Sequence, residues 1–274
     1  MTKIVSAEWL ADHINDKNLV VLDASIPPPA SKETEISSVQ TIPGARFANL
    51  KKGFANPESN FPNTVPTPQQ FEEQCIKLGI NNDSHIIIFD YKGVYSSPRL
   101  WWLFKIMGHD QVAVLDGGLP EWIKQGGEVS NAYSHNEERG SFVASYDPNP
   151  VKSYFDILVN VSAKTHTVVD ARSEGRFTGS QPEPRKHLQS GSIPNSVNIP
   201  FQTVLHNGKF KSPEELRELF RSIVPDTESR IFSCGSGITA CVLMLASQIA
   251  FDEHMNVYDG SWTELAELQN LIVE

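Results

Sequence analysis

The chain has few cysteines, and their spacing excludes several kinds of protein. Its three cysteines form no C-x-x-C pair, which argues against a disulfide-stabilised scaffold and against a structural zinc site. The eight histidines show no spacing typical of metal ligands. We therefore expect no metal and no other cofactor.

Long hydrophobic runs are also missing. Apolar runs such as residues 19–22 are far too short to span a bilayer, and the first residues do not begin a signal peptide. Unpaired cysteines are typical of proteins kept in a reducing environment. The expected location is therefore the cytoplasm.

Basic residues are outnumbered by acidic ones, with 23 Lys and Arg against 33 Asp and Glu and a net charge of −10. An acidic surface argues against a nucleic acid or an anionic membrane as a partner. Binding of an anionic substrate would require a local concentration of positive charge. The length of 274 residues and the hydrophobic share of 39% are typical of a soluble protein with one large domain or two ordinary ones.

The sequence repeats itself once, with matching segments roughly 145 residues apart. The matched positions are Asp23 with Asp170, Pro43 with Pro194, Asp90 with Cys234, and Asp116 with Asp259. A duplication of this length predicts two sister domains rather than a solenoid. We place the first domain at 1–135, a polar, proline-containing connector at 136–154, and the second domain at 155–274.

Within each half, short β-branched runs alternate with helical patterns, which predicts the α/β class. The strands are nearly all apolar, as expected for a mainly parallel central sheet with helices on both faces. The predicted strands are 20–23, 86–90, 112–115, 168–170, 230–233 and 256–258. The predicted helices are 6–15, 67–78, 98–107, 120–125, 213–223, 239–251 and 261–271, with start signals at Thr67, Ser97 and Ser212, each followed by proline.

Cys234 ends an apolar strand and precedes two glycines and a helix. Backbone N–H groups and a helix N-terminus converge at such a turn and stabilise anions, which favours a nucleophilic thiolate. Ligands also bind beyond the carboxyl ends of parallel strands. The alternative is an inert buried thiol, the commoner kind of cysteine. In the first half Asp90 takes this position, and since it offers no thiol for nucleophilic chemistry, we expect that domain to be catalytically silent.

Several motifs carry a family resemblance when they are taken together and in order. They are Cys-Gly-Ser-Gly-Ile-Thr-Ala at 234–240, Asp-Ala-Arg at 170–172 with Gly-Arg-Phe at 175–177, Pro-Glu-Pro-Arg at 182–185, Asn-Ile-Pro-Phe at 198–201, and in the first half 98–102 and 115–118. On a duplicated chain, they resemble the two-domain rhodanese-like sulfurtransferases, most closely the 3-mercaptopyruvate branch. The resemblance implies two tandem rhodanese-like domains.

The resemblance also implies a reaction. The Cys234 thiolate takes the sulfur of 3-mercaptopyruvate, which gives a cysteine persulfide and pyruvate, and a thiol such as thioredoxin or glutathione, or cyanide, then accepts the outer sulfur. Thiosulfate rhodaneses look like Cys-Arg-Lys-Gly at this loop, whereas Gly235 and Ser236 bring no charge. A thiosulfate:cyanide sulfurtransferase and a persulfide carrier with little turnover of its own remain alternatives. A cysteine phosphatase is disfavoured, because no arginine ends the loop at 239–241.

By resemblance, two arginines hold the substrate carboxylate, Arg176 and Arg185. The alternative for both is an ion pair with Glu174 or Glu183. The resemblance further assigns substrate binding to the loop residues Gly235, Gly237, Ile238 and Thr239.

Ser236 matches a serine that is proposed to assist proton movement in this branch. Its alternative role is to be small enough for the loop to close. Some members of the branch pair this serine with an aspartate and a histidine in the first domain. Here Asn63 stands about where that histidine would fall, so a complete Asp-His-Ser relay is not expected.

Overall fold

The computed structural model describes residues 2–26, 40–135, 138–224 and 229–273, the last four of them without side-chain detail. The chain divides into two compact units. Unit 1 is built from the described residues of 1–57, 65–147 and 207–209, and unit 2 from those of 58–64, 148–206 and 210–274. Of the predicted connector, residues 136 and 137 lie outside the described residues, and 148–154 belong to unit 2.

Unit 1 contains a five-stranded parallel sheet. Its strands are β1 (Ile4–Val5), β2 (Leu19–Asp23), β3 (Arg46–Phe47), β4 (His85–Phe89) and β5 (Val112–Leu115), in the order β1-β5-β4-β2-β3. Its helices are α1 (Ala7–His13), α2 (Pro68–Lys77), α3 (Ser97–Ile106) and α4 (Gly118–Lys124). The central strand β4 is buried over 86–89, as the apolar run there predicted.

Unit 2 repeats this arrangement. Its sheet contains β6 (Val151–Lys152), β7 (His166–Asp170), β8 (Val197–Asn198), β11 (Ser229–Ser233) and β12 (Val257–Tyr258), in the order β6-β12-β11-β7-β8 and all parallel. A 3-10 helix (Phe201–Val204) leads into the hairpin β9 (Leu205–His206) and β10 (Lys209–Phe210). The helices are α5 (Tyr154–Ala163), α6 (Glu174–Phe177), α7 (Pro213–Arg221), α8 (Ala240–Phe251) and α9 (Ser261–Val273).

The two sheets have equivalent strand orders, so the predicted α/β class with a parallel sheet in each half is confirmed. Counterpart strands occupy matching positions, with β4 and β11 each at the centre. None of the helices that the structure describes is long and apolar enough to cross a membrane.

Helices α5 and α6 and the two-residue strands were not predicted; these strands are β1, β3, β6, β8, β9 and β10. Strand β6 has only two residues, too few for a detectable period, yet it pairs with β12 and so belongs to the second sheet. Helix α5 begins with a capping box between Ser153 and Asp156. Its apolar residues Phe155 and Val159 are exposed, by 71% and 50%, and this blurs the amphipathic pattern by which a helix is found in a sequence.

The first N–H groups of a helix are capped in two ways in this protein, by a side chain at the helix start or by a residue of a preceding turn. Thr67 and Ser212 form capping boxes at α2 and α7, as predicted. Helix α3 differs, because it begins at Ser97 itself, and the capping residue Ser96 makes no side-chain bond to the helix. The N–H groups of Ser96 and Ser97 are instead bonded to a residue of the preceding turn.

That residue is Asp90, which is fully buried at the end of β4. Its Oδ1 accepts the N–H of Lys92 at 3.0 Å, and its Oδ2 accepts the N–H groups of Tyr95, Ser96 and Ser97, each at 2.9 Å. The Ser97 hydroxyl donates to the same oxygen at 2.8 Å. The turn and the first residues of α3 therefore surround an anion that the chain itself supplies.

Replacing Asp90 by alanine should destabilise unit 1. The Asp90→Ala variant leaves five donors without their acceptor, three of them in buried hydrogen bonds, and we expect a loss of about 3 kcal/mol or more in the free energy of unfolding. Denaturant unfolding followed by tryptophan fluorescence measures it, since four of the five tryptophans lie in unit 1. The exposed Asp83→Ala is the matched control. Equal stability of the two variants would contradict this account of the turn.

Candidate active site

Cys234 lies directly after β11, at the carboxyl end of the central strand of unit 2. It is 2% exposed. Its N–H donates to the Ser261 hydroxyl at 3.2 Å, and its carbonyl accepts the N–H of Trp262 at 3.0 Å. The first turn of α9 therefore holds the backbone of Cys234 in place, so the position of the thiol depends on two parts of the chain that are distant in sequence.

The loop that follows Cys234 offers backbone donors. The N–H groups of Gly235, Ser236, Ile238 and Thr239 donate to none of the residues that the structure describes. Gly237 has a φ of +77°, a conformation that glycine adopts without strain. The corresponding turn of unit 1 is filled by a carboxylate, whereas here the free donors can bind a thiolate or a substrate anion.

Three charged side chains beside this loop form a buried network with Asp170. The fully buried Arg172 donates to Asp170 Oδ2 at 2.6 Å and to Glu183 Oε1 at 2.8 Å, and its guanidinium lies 4.5 Å from the ring centroid of Trp262. The other oxygen of Glu183 accepts from Arg176 Nη2 at 2.6 Å. Glu183 thus binds two arginines, and Arg172 pairs with both Asp170 and Glu183.

The guanidinium of Arg176 lies beside Gly235, in the loop that follows Cys234. A Cβ atom built on Gly235 would lie 2.7 Å from Arg176 Nη2, so any larger residue at 235 would displace that guanidinium. The side chain of Arg176 is 24% exposed and is bonded twice to Glu183, by Nε at 3.1 Å and by Nη2. The ion pair with Glu183 that the sequence left open is therefore present, while the guanidinium also borders the loop.

Arg185 has a different environment. Its Nη1 donates to the Thr263 hydroxyl at 3.0 Å, and that hydroxyl donates to the Gly235 carbonyl at 2.6 Å. Within the described parts of the chain, no carboxylate pairs with Arg185. Of the arginines that border this loop, Arg185 is thus the one with donors left for an external carboxylate.

Ser236 is bonded to Asn63, which belongs to the segment 58–64 of unit 2. Asn63 Nδ2 donates to the Ser236 carbonyl at 3.0 Å and to its hydroxyl oxygen at 3.1 Å. The amide thus stands beside the serine, at the position where the sequence analysis noted the missing histidine. An amide nitrogen cannot accept a proton, so Asn63 can orient Ser236 but cannot act as its base.

The first residues of α9 are the part of the site that sequence reasoning missed. The repeated segment around Asp259, with Trp262 behind it, was recognised as part of the duplication, but no role followed from it. In the structure Ser261 and Trp262 hold the backbone of Cys234, and Thr263 joins Arg185 to Gly235. The signal was present in the duplication, but hydrogen bonds across some 30 to 80 residues of sequence are not visible in a motif.

The described residues contain no cluster of three or more His, Cys, Asp or Glu side chains that could hold a metal ion. The three cysteines are buried, and none of them forms a disulfide. The reactive and charged side chains that the structure places at this loop are the Cys234 thiol, the arginine side chains and the Ser236 hydroxyl.

Comparisons with known proteins agree with this architecture. The model of the rhodanese-like domain matches residues 6–125 and 156–268. The 3-mercaptopyruvate sulfurtransferase of Mus musculus is 38% identical over 95% of this chain and 91% of its own length, and the thiosulfate sulfurtransferase of Rattus norvegicus is 36% identical over the same shares. The crystal structure of SseA from Escherichia coli superposes with a TM-score of 0.85 at 30% identity, covering 96% of this chain and 99% of SseA.

The chain belongs to the rhodanese-like family, and it contains two rhodanese-like domains. The family resemblance and the fold predicted from the sequence are both confirmed.

The buried network predicts a large stability difference between two arginine substitutions. Arg172→Met leaves Asp170 and Glu183 buried without their shared cation, and we expect a loss of about 3–5 kcal/mol in the free energy of unfolding of unit 2. Arg217→Met removes a partly exposed pair with Glu214 and a hydrogen bond to the Ala250 carbonyl, and should cost about 1–2 kcal/mol. Denaturant unfolding followed by circular dichroism measures both, and similar losses would refute the assignment.

Proposed function

We propose that the protein transfers sulfur from 3-mercaptopyruvate, through a persulfide on Cys234, to a thiol or cyanide acceptor. The observation that carries the proposal is the pairing state of Arg185, which is hydrogen-bonded to the catalytic loop through Thr263 and has no carboxylate partner among the described residues. A short keto acid with a terminal thiol presents a carboxylate for such a guanidinium and a sulfur for the nucleophile. The relatives named for this reaction support the same substrate.

In the first step the Cys234 thiolate attacks the sulfur of 3-mercaptopyruvate. A sulfur–sulfur bond forms, and the carbon–sulfur bond of the substrate breaks with its electrons passing to carbon. The leaving enolate of pyruvate takes up one proton at that carbon. The backbone donors of Gly235, Ile238 and Thr239 stabilise the negative charge on sulfur at the loop, as electrostatic preorganisation requires. No oxidant enters the balance.

Ser236 is the proposed source of the proton. Since Asn63 Nδ2 donates to the Ser236 oxygen, the serine hydroxyl hydrogen is left to point toward another acceptor. Donation by Asn63 also makes that hydroxyl a better proton donor. The expected arrangement is thus a serine oriented by an amide rather than an Asp-His-Ser relay.

In the second step a small thiol, a thioredoxin-like protein thiol or cyanide attacks the outer sulfur and restores the Cys234 thiolate. The absence of disulfide bonds among the three cysteines supports a reducing compartment such as the cytoplasm. Unit 1 takes no part in the sulfur chemistry, because its corresponding turn is already occupied by the carboxylate of Asp90.

Thiosulfate is the second candidate donor, since a relative of similar identity is a thiosulfate sulfurtransferase. The uncharged residues Gly235 and Ser236 favour the keto acid, because the basic side chains that suit a thiosulfate dianion are missing from the loop. The comparison of kcat/KM for the two donors decides between them. A preference for thiosulfate would overturn the assignment of 3-mercaptopyruvate.

The persulfide can be detected directly. After the addition of 3-mercaptopyruvate without an acceptor, intact-protein mass spectrometry should show the gain of one sulfur atom. Cys234→Ser should fold normally, gain no sulfur and release no pyruvate, because it lacks the nucleophile. Cys241→Ser, at a buried cysteine in the first turn of α8, is the matched control and should gain the sulfur. Sulfur uptake by Cys234→Ser would refute the role of Cys234.

Loss of Arg185 should affect kinetics, whereas loss of Arg176 should affect both kinetics and stability. Arg185→Ala should lower kcat/KM for 3-mercaptopyruvate by about 2–4 kcal/mol in transition-state free energy, mainly through KM, since a charge-assisted pair with the carboxylate is lost. Arg176→Ala should also lower activity and in addition lower stability, because Glu183 loses one of its two cations. Steady-state kinetics with thermal unfolding measure both effects. Unchanged kinetics in Arg185→Ala would mean that another group holds the carboxylate.

A further inference from the structure

Thr263 is buried, with 1% of its surface exposed, and it joins two parts of the site. Its N–H and its hydroxyl both bond to the Gly235 carbonyl, at 3.0 and 2.6 Å. Its hydroxyl oxygen also accepts the hydrogen bond from Arg185 Nη1 at 3.0 Å. A single hydroxyl thus lies between the loop that follows the nucleophile and the arginine assigned to the substrate.

The direction of each bond follows from the chemistry of the partners. A guanidinium only donates and a carbonyl only accepts, so the Thr263 hydroxyl must accept from Arg185 and donate to Gly235. Its one hydrogen is therefore committed. Two successive hydrogen bonds through Thr263 therefore fix the distance between Arg185 and Gly235, the residue next to Cys234. The threonine side chain is short, β-branched and buried, so it can adopt few rotamers.

The same bond determines which edge of Arg185 is free. Because Nη1 is bonded to Thr263, the edge formed by Nε and Nη2 remains for a carboxylate, and this is an edge that binds two oxygens in parallel. An arginine without this anchor keeps its charge but loses its orientation and its distance from the sulfur. Thr263 thus differs from a residue that only fills space in the core.

We propose that Thr263 is a positioning residue for carboxylate recognition: through its hydroxyl it fixes the guanidinium of Arg185 relative to Gly235, and so sets the reach between the substrate carboxylate and the sulfur attacked by Cys234. The inference deepens the proposed function and depends on it for the identity of the substrate. It assigns a role to the first turn of α9 that the catalytic motif alone does not contain.

Alkylation of Cys234 tests the proposal without any sulfur donor. Iodoacetate carries a carboxylate and iodoacetamide does not, so the ratio of their rate constants reports carboxylate recognition beside the thiol and cancels changes in thiol reactivity. Thr263→Val, which removes the hydroxyl at nearly constant volume, should lower this ratio about tenfold, the size expected for one hydrogen bond to a charged group. Thr263→Ser, which keeps the hydroxyl, should stay within about twofold of the native protein.

A double-mutant cycle separates positioning from general damage. Arg185→Ala should lower the ratio at least as much as Thr263→Val, and adding Thr263→Val to Arg185→Ala should lower it no further, because the threonine acts through the arginine. An unchanged ratio in Thr263→Val, or a further fall in the double variant, would overturn the proposal. If Thr263→Val loses its native circular dichroism, Thr263→Ala is used under the same criteria.

The parallel readout with 3-mercaptopyruvate keeps the two proposals distinguishable. Thr263→Val should raise KM about tenfold with a smaller change in kcat. A lowered alkylation ratio in a protein that releases no pyruvate would retain Thr263 as the positioning residue and reject the substrate. Normal sulfur transfer with an unchanged alkylation ratio in Thr263→Val would retain 3-mercaptopyruvate as the substrate and reject Thr263 as the positioning residue.

Discussion

The central constraint in this protein is the satisfaction of backbone N–H groups at the turn between the middle strand of each sheet and the next helix. Such a turn collects several donors that point into a small space, and buried donors need an acceptor. In unit 1 the acceptor is the carboxylate of Asp90. In unit 2 the chain supplies a thiol instead, and four N–H groups of the loop stay unbonded among the described residues. The difference between Asp90 and Cys234 at equivalent positions thus separates a turn whose donors are bonded from a turn whose donors are not bonded among the described residues.

The arginines beside the loop differ in whether a carboxylate of the protein compensates their charge. Arg172 and Arg176 share Glu183, so most of their charge is compensated within the fold. Arg185 is bonded to a neutral hydroxyl and has no carboxylate partner among the described residues. The compensated pair thus connects the segments beside the loop, whereas the charge of Arg185 is not compensated by a carboxylate in the described part of the chain.

Much of this could be predicted from the sequence. The repeat predicted two sister domains, and apolar strands alternating with helical patterns predicted parallel sheets, because hydrophobic period and turn chemistry are local properties. Helix α5 was missed since its apolar residues face solvent, and β6 was missed since two residues carry no period. The start of α3 was misplaced by one residue because Asp90, rather than a serine, caps its N–H groups.

By itself, the sequence determined the fold class and the place of Cys234 at a strand end, which follow from patterns within about fifteen residues, and the duplication, which follows from matching segments roughly 145 residues apart. Only the tertiary structure decided which arginine remains free for a ligand. That choice depends on Glu183, which binds Arg172 and Arg176, and on Thr263, which lies 78 positions from Arg185 and yet accepts its hydrogen bond. The energy of an ion pair depends on the distance between the two charges, and for residues far apart in sequence that distance is set by folding.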